Sequence, residues 1–298
     1  MPVRYDIVHT TVYSYSEPVT FGEHRVMFRP RDSHDLRVLA TDLQVSPEAI
    51  VRMIQDPHSN SVALVQPIVP ATELHIVCSF TIEHAMNLNL ELPLAPEADL
   101  FPFAYSVEDR FDLEHYLRPH YDDAKGELTA WARQFIRTDG PTSTREMLVK
   151  MNQRIRDTLA YAERDEEGTQ TPLHTLALQS GSCRDFALLM MEAARRLGIA
   201  TRFVSGYLYD PALDGVDAEG AAVVGAGATH AWLQAYLPGA GWVPFDPTNN
   251  LLGGNQLIRV GVARDPSHAA PVSGTWYGPK DAYLGLTATV QVRRQPEG

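Results

Sequence analysis

Cysteine is nearly absent from this sequence: its 298 residues include two, Cys78 and Cys183. So few thiols exclude the disulfide framework that staples small secreted domains, and either one is free to be a nucleophile. Basic clusters are missing as well. Lys and Arg total 25 against 37 Asp and Glu, the net charge is −12, and the nearest basic groupings, Arg195-Arg196 and Arg293-Arg294, are dipeptides. Nucleic acids and anionic membrane surfaces require grouped Lys and Arg, so neither is expected as a partner. No apolar run reaches the ~18 residues needed to span a bilayer. The opening MPVRYDIVHTTVYSY has neither an apolar h-region nor a small-residue cleavage site. No signal peptide is expected there, which gives a cytoplasmic location as the default. Internal repeats and low-complexity segments are also lacking.

What is present is ordinary globular composition, 44% hydrophobic and 21% charged, in a length that fits one or two domains with a sizeable core. The first hundred residues read as strands. In LHIVCSFTIE the residues Leu74, Ile76, Cys78, Phe80 and Ile82 alternate with polar neighbours, and Tyr5, Ile7, His9, Thr11, Tyr13 and Tyr15 share one face of another strand. Turn residues separate these runs, as expected for an antiparallel sandwich. Past a Pro-rich connector the texture becomes helical. GELTAWARQFI and TSTREMLVKMNQRIRDTLAY carry apolar stripes, the second with Thr142 or Ser143 as its cap. A third helical run follows Cys183. Strands resume at residue 201, and YLGLTATVQV alternates near the end. Strands, then helices, then strands predict an α+β fold: a β-sandwich-like domain over residues 1–105, and over 106–298 a unit with helices packed on an antiparallel sheet.

The candidate chemistry lies in three segments. Gly181-Ser182-Cys183-Arg184-Asp185 opens a helical run in which Phe186, Leu189, Met190, Ala193 and Leu197 form a stripe, with Gly198 at the expected end. Ser180 and Ser182 are candidate caps, so Cys183 falls in the first turn. Unpaired N–H groups and the helix dipole favour an anion there, and the same N–H groups can hold an oxyanion. His230 begins the strand-like THAWLQAYL, 47 residues after Cys183, and Asp246 closes GWVPFDPTN, 16 residues further on. Thiol, imidazole and carboxylate are a nucleophile, its base, and the group that orients the base. A four-residue turn, Pro238-Gly239-Ala240-Gly241, would pair Asp246 near Leu233. That is about 10 Å along the ladder from His230 at ~3.3 Å per residue, a gap that a bulge or a bent strand would have to close.

Each residue also has a plainer reading. Cys183 could be a small packed hydrophobe, His230 a hydrogen-bonded strand residue, and Asp246 part of an Asp-Pro-Thr-Asn turn. Cys78, in mid-strand on an apolar face, is expected to be structural. Cys, His and Asp are also zinc ligands, but a fourth with suitable spacing is missing, and neither a metal nor a cofactor is expected.

Together these segments resemble the bacterial transglutaminase-like family, a papain-like core. The likeness rests on GSCRDFALLMMEAARRLGIATRFVSGYL and ATHAWLQAYLPGAGWVPFDPTNN, with YDIVHTTVYSYSEPV through DPHSNSV resembling the β-rich N-terminal region of one bacterial branch. The resemblance implies a Cys183-His230-Asp246 triad acting on a protein or peptide amide through an acyl-enzyme, with the acyl acceptor, water or amine, left open. It departs at His58-Ser59-Asn60, where the family usually carries aromatic-Gly-Asn, and at Ser182, where Val is commoner. Gln179 is a candidate oxyanion donor and Trp232 a candidate wall of the site, against the alternatives of an exposed glutamine and a core tryptophan. The 210–229 segment is either a gate or a passive insertion. The competing functional class is a non-catalytic peptide-binding or scaffold module on the same fold.

Overall fold

A computed structural model describes residues 2–85, 93–164, 166–211, 227–254 and 256–295. The first part is all strand: β1 (Val3–Phe21), β2 (His24–Val26), β3 (Leu36–Ser46), β4 (Ala49–Gln55), β5 (Ser61–Pro67) and β6 (Ala71–His84). The expected alternation is there, with Tyr5, Ile7, His9, Leu74, Ile76, Cys78 and Phe80 all buried. Strands β1, β6 and β3 pair antiparallel in one sheet, and β2, β5 and β4 in a second. Their inward residues share one apolar core.

The middle of the chain carries β7 (Leu100–Phe101), α1 (Val107–Asp112), α2 (Glu114–Leu117), α3 (Glu127–Arg133), β8 (Thr142–Ser143), α4 (Thr144–Thr158), β9 (Ala160–Tyr161), α5 (Pro172–Leu178), β10 (Ser180–Gly181) and α6 (Cys183–Arg196). Ser143 is the cap of α4, its Oγ accepting the Glu146 N–H, and Met147, Leu148, Met151 and Ile155 are the buried stripe. Helix α6 is buried along nearly its whole length. It ends at Gly198, whose φ of +80° is the left-handed turn that closes a helix without Cβ strain.

A five-stranded antiparallel sheet follows, in spatial order β14-β13-β12-β11-β15: β11 (Thr201–Leu208), β12 (Thr229–Leu237), β13 (Gly241–Asp246), β14 (Leu251–Leu252) and β15 (Leu257–Ala263). Phe186, Leu189, Met190 and Ala193 of α6 share a core with Phe203, Leu233, Ala235 and Phe245 of this sheet. The fold is therefore α+β, as its pattern implied.

The tail departs from a simple division at residue 105. Strands β16 (Val272–Ser273), β17 (Trp276–Tyr277) and β18 (Tyr283–Arg294) return to the first two sheets, β16 onto β2 and the other two onto β1. Residues expected to lie with the 106–298 unit thus complete the sandwich, and the alternation of YLGLTATVQV suits either location. The seam between the units is polar as well as apolar. Asn60 Nδ2 donates to the Val262 carbonyl (2.7 Å) and Val262 N–H donates back to Asn60 Oδ1 (2.9 Å), a clasp from the β5 end onto β15. His9 of β1 stacks on Phe28 and meets the Tyr207 hydroxyl at 2.9 Å, and burial drives its pKa down to about 3, so it stays neutral.

Candidate active site

Cys183 is the first residue of α6, where its N–H and that of Arg184 have no intrahelical acceptor. The turn before it is held by one carboxylate. Asp185, fully buried, accepts from Ser182 N–H (2.8 Å) and Ser182 Oγ (2.9 Å), from Gln170 N–H (2.7 Å) and from Arg164 (3.0 Å). These bonds fix the helix start and tie Arg164 and Gln170 to it. Gly181 is required here for space: a Cβ on it would come within 2.9 Å of the Asp185 Cβ. Among the candidate caps, Ser182 holds the position. Cys183 itself is 8% exposed, within reach of solvent at the surface of the core.

His230 lies at the start of β12 and Asp246 at the end of β13. His230 Nε2 donates to Asp246 Oδ2 at 2.9 Å, both side chains fully enclosed. No bulge is needed. The hairpin closes at Leu237↔Gly241, one residue tighter than the expected turn, and runs to Leu233↔Phe245. Continued, that register sets Asp246 across from Trp232 rather than Leu233. A one-residue slip exchanges the faces of a strand, and it puts Asp246 on the side that His230 and Trp232 share.

Asp246 has further donors: Thr248 N–H at 2.9 Å and Asn249 Nδ2 at 3.0 Å. Burial pushes its carboxyl up, but the charge and hydrogen bond of His230, with Asn249 and Thr248, outweigh burial and leave it below the usual range. His230 is the mirror image. Burial opposes its charge, yet Asp246 and then Cys183 raise its pKa to about 10. Nδ1, the nitrogen Asp246 does not use, is buried, and among the described residues the Cys183 thiol is the group it is left to face. The imidazole is thus held as a cation between a carboxylate and a sulfur, which can stabilise a thiolate, deliver a proton, and later take one back.

The structure brings Cys183, His230 and Asp246 together. Trp232 joins them as packing: it is 1% exposed, stacks on the His230 ring at 6.0 Å, and lies among Val204, Leu208, Leu257 and Val262. Gln179 is not brought in. It is the left-handed cap of α5 (φ 52°), and its amide donates to the Leu176 carbonyl at 2.6 Å. Most of the 210–229 segment, residues 212–226, lies outside the described residues. Among those described, no group of three His, Cys, Asp or Glu could hold a metal ion. Cys78, on β6 between His9 and Leu43, is buried, and burial raises its thiol to about 11. Sequence reasoning missed Asp185 and Asn249. The signals were Asp three residues after the Ser182 cap, and Asn three residues after Asp246 in a Pro-containing turn.

Residues 129–247 match the family model of the transglutaminase-like superfamily, and residues 5–83 that of the bacterial transglutaminase-like N-terminal region. An uncharacterised protein of Mycobacterium leprae is 30% identical over 279 residues, covering 92% of this chain and 94% of its own length. One from Mycobacterium tuberculosis H37Rv is 28% identical over 296 residues, at 92% and 88%. The crystal structure of a proposed cysteine protease from Cytophaga hutchinsonii superposes with a TM-score of 0.69 at 20% identity, over 99% of this chain and 91% of that one. This last likeness concerns the fold.

Proposed function

We propose, because this chain belongs to the transglutaminase-like superfamily, that Cys183, His230 and Asp246 work as a thiol triad on amide bonds of a protein or peptide. The observation that carries this reading is the His230–Asp246 bond of 2.9 Å, which leaves the other ring nitrogen for a cysteine at a helix start.

The Cys183 sulfur attacks the amide carbonyl, and the oxygen gains negative charge beside the free N–H groups of the first turn of α6. His230 gives its proton to the leaving nitrogen, the C–N bond breaks, and a thioester remains on Cys183. Neutral His230 then takes a proton from the acceptor, which attacks the thioester and frees the thiolate. With water the product is an acid, and with a primary amine a new amide. Asp246 stays ionised throughout, keeping the Nε2 proton in place and supporting the positive ring. Asp185, Asn249 and Trp232 position these groups without touching the substrate.

Mapping of iodoacetamide adducts at mildly acidic pH tests the nucleophile, with Cys78 as internal control. Cys183 is expected to react first, and Cys183→Ala to abolish any amidase or transamidase activity found in a peptide screen run with and without amines. Equal labelling of the two thiols, or activity surviving Cys183→Ala, would leave a non-catalytic binding module as the better account.

A further inference from the structure

The loop that joins β2 to β3 passes the end of the β4–β5 hairpin, and together they line an open surface pocket of about 450 Å³, far in sequence from Cys183. That size is within the range of small-molecule sites. Its lining is mixed. Arg29, Arg31, Gln55 and Ser59 supply polar groups, and Met53 and Ile54 supply apolar side chains that are 52% and 37% exposed.

The arginines are under-partnered. Among the described residues Arg29 has neither an ion pair nor a hydrogen bond, and its Nε is buried. Arg31 donates to the carbonyls of His58 (3.2 Å) and Ser59 (3.0 Å), with no carboxylate paired to it among those residues. The one acid in the lining, Asp32, uses Oδ1 to accept the Val38 N–H at 2.8 Å. Behind Arg31 lies the buried Arg202, whose guanidinium is held by Gln234 and by the Trp242 ring rather than by an acid. Burial, with Arg259 and Arg31 close by, pulls the Arg202 pKa down to about 9, and Arg259 has Asp35 at 3.8 Å while Arg31 has no carboxylate among the described residues. The rest of the chain is acidic, with a net charge of −12 overall.

A guanidinium partly removed from water and left without an anion is costly, and its fork matches a carboxylate in two parallel hydrogen bonds. Met and Ile beside it offer an adaptable apolar shelf. We propose that this pocket binds a small organic carboxylate, with the anionic head on Arg29 and Arg31 and an apolar arm over Met53 and Ile54. This assignment is independent of the reading of Cys183. A bound molecule would touch Ser59, next to the Asn60 clasp on β15, so occupancy should tighten the seam between the two units.

Titration calorimetry and thermal melts of the full chain with octanoate test this, with octanol, octylamine and inorganic phosphate as comparisons. Octanoate is expected to bind roughly tenfold or more tightly than any of the three and to raise the melting temperature. Arg29→Gln should weaken it by roughly tenfold, with Arg29→Lys intermediate because it keeps the charge but not the fork. Met53→Glu, at an exposed position that should not disturb folding, sets an acid where the arm would lie and should weaken octanoate similarly. Should Arg29→Gln fold poorly, Met53→Glu carries the test. Equal binding of octanol or octylamine, equal binding of phosphate, or unchanged affinity in either variant would overturn the proposal.

Discussion

Replacing Asp246 by Asn puts the proton of His230 to the test. Asp246 now accepts from His230 Nε2 and Asn249 Nδ2 on one oxygen and from Thr248 N–H on the other. Asn offers one acceptor oxygen and an NH2. If the oxygen stays on Thr248, the NH2 faces His230 and can be satisfied only when Nε2 is bare. The imidazole then carries its proton on Nδ1, towards the sulfur, and loses both its charge and its capacity to act as base in the resting state. The wild-type ring keeps its proton to about pH 10, while an unfolded histidine loses it near 6.5. At about 1.4 kcal/mol per unit, this amounts to roughly 5 kcal/mol favouring the imidazolium in the fold. The sign follows from proton binding. Between those two pH values the native state holds one more proton than the unfolded chain, so this stabilisation is complete below 6.5 and is lost as pH rises through about 10. Urea unfolding of Cys183→Ala and of Cys183→Ala/Asp246→Asn across this window is the assay, so that a proton on the thiol does not enter the difference. The difference in stability between the two should shrink with rising pH by about 1.4 kcal/mol per unit. Turnover in Asp246→Asn should fall by roughly a hundredfold to ten-thousandfold. A stability difference that stays flat over the window would refute the claim that Asp246 holds this proton.

Two further outcomes concern the seam. Asn60→Ala leaves the Val262 N–H and carbonyl buried without partners and should cost about 2–5 kcal/mol in denaturant unfolding, whereas a negligible loss would mean that the clasp is incidental. Ser59 sits at a φ of 61°, left-handed for a residue with a Cβ, so Ser59→Gly should stabilise by about 0.5–1 kcal/mol and raise the melting temperature; a lower melting temperature would contradict the strain.

Much of this molecule could be read from its residues because the deciding forces were local. Period-two burial marked β1 and β6, and the stripe after Cys183, with a serine before it and a glycine at its end, marked α6 and hence the position of the thiol. At residue 59 the departure from the resembled family's glycine marks a position that the structure holds in a glycine-like conformation, one not inferred from the sequence. What escaped depended on partners remote in sequence. The hairpin register turned on whether Gly241 belonged to the turn or to the strand, and at φ 70° it manages the strand's first position. Nothing in YLGLTATVQV names β1 as its neighbour, because alternation reports a buried face and not the strand beside it. Gln179 is only four residues before Cys183 in sequence, but the end of α5 turns its amide onto its own helix.

The pairing of β18 with β1, from Tyr5↔Arg294 to Tyr15↔Tyr283, fixes an order of events during synthesis. β1 can meet this neighbour only after the residues of the α6 helix and of the five-stranded sheet have been synthesised, and contacts so distant in sequence close slowly. Until then one edge of β1 stays open, a site for pairing with the wrong chain. The same late strand reaches the site: Val290 N–H donates to the Gly227 carbonyl at 3.0 Å, three residues before His230. Closing the sandwich therefore also ties down the residue from which the chain enters β12, the strand on which His230 lies.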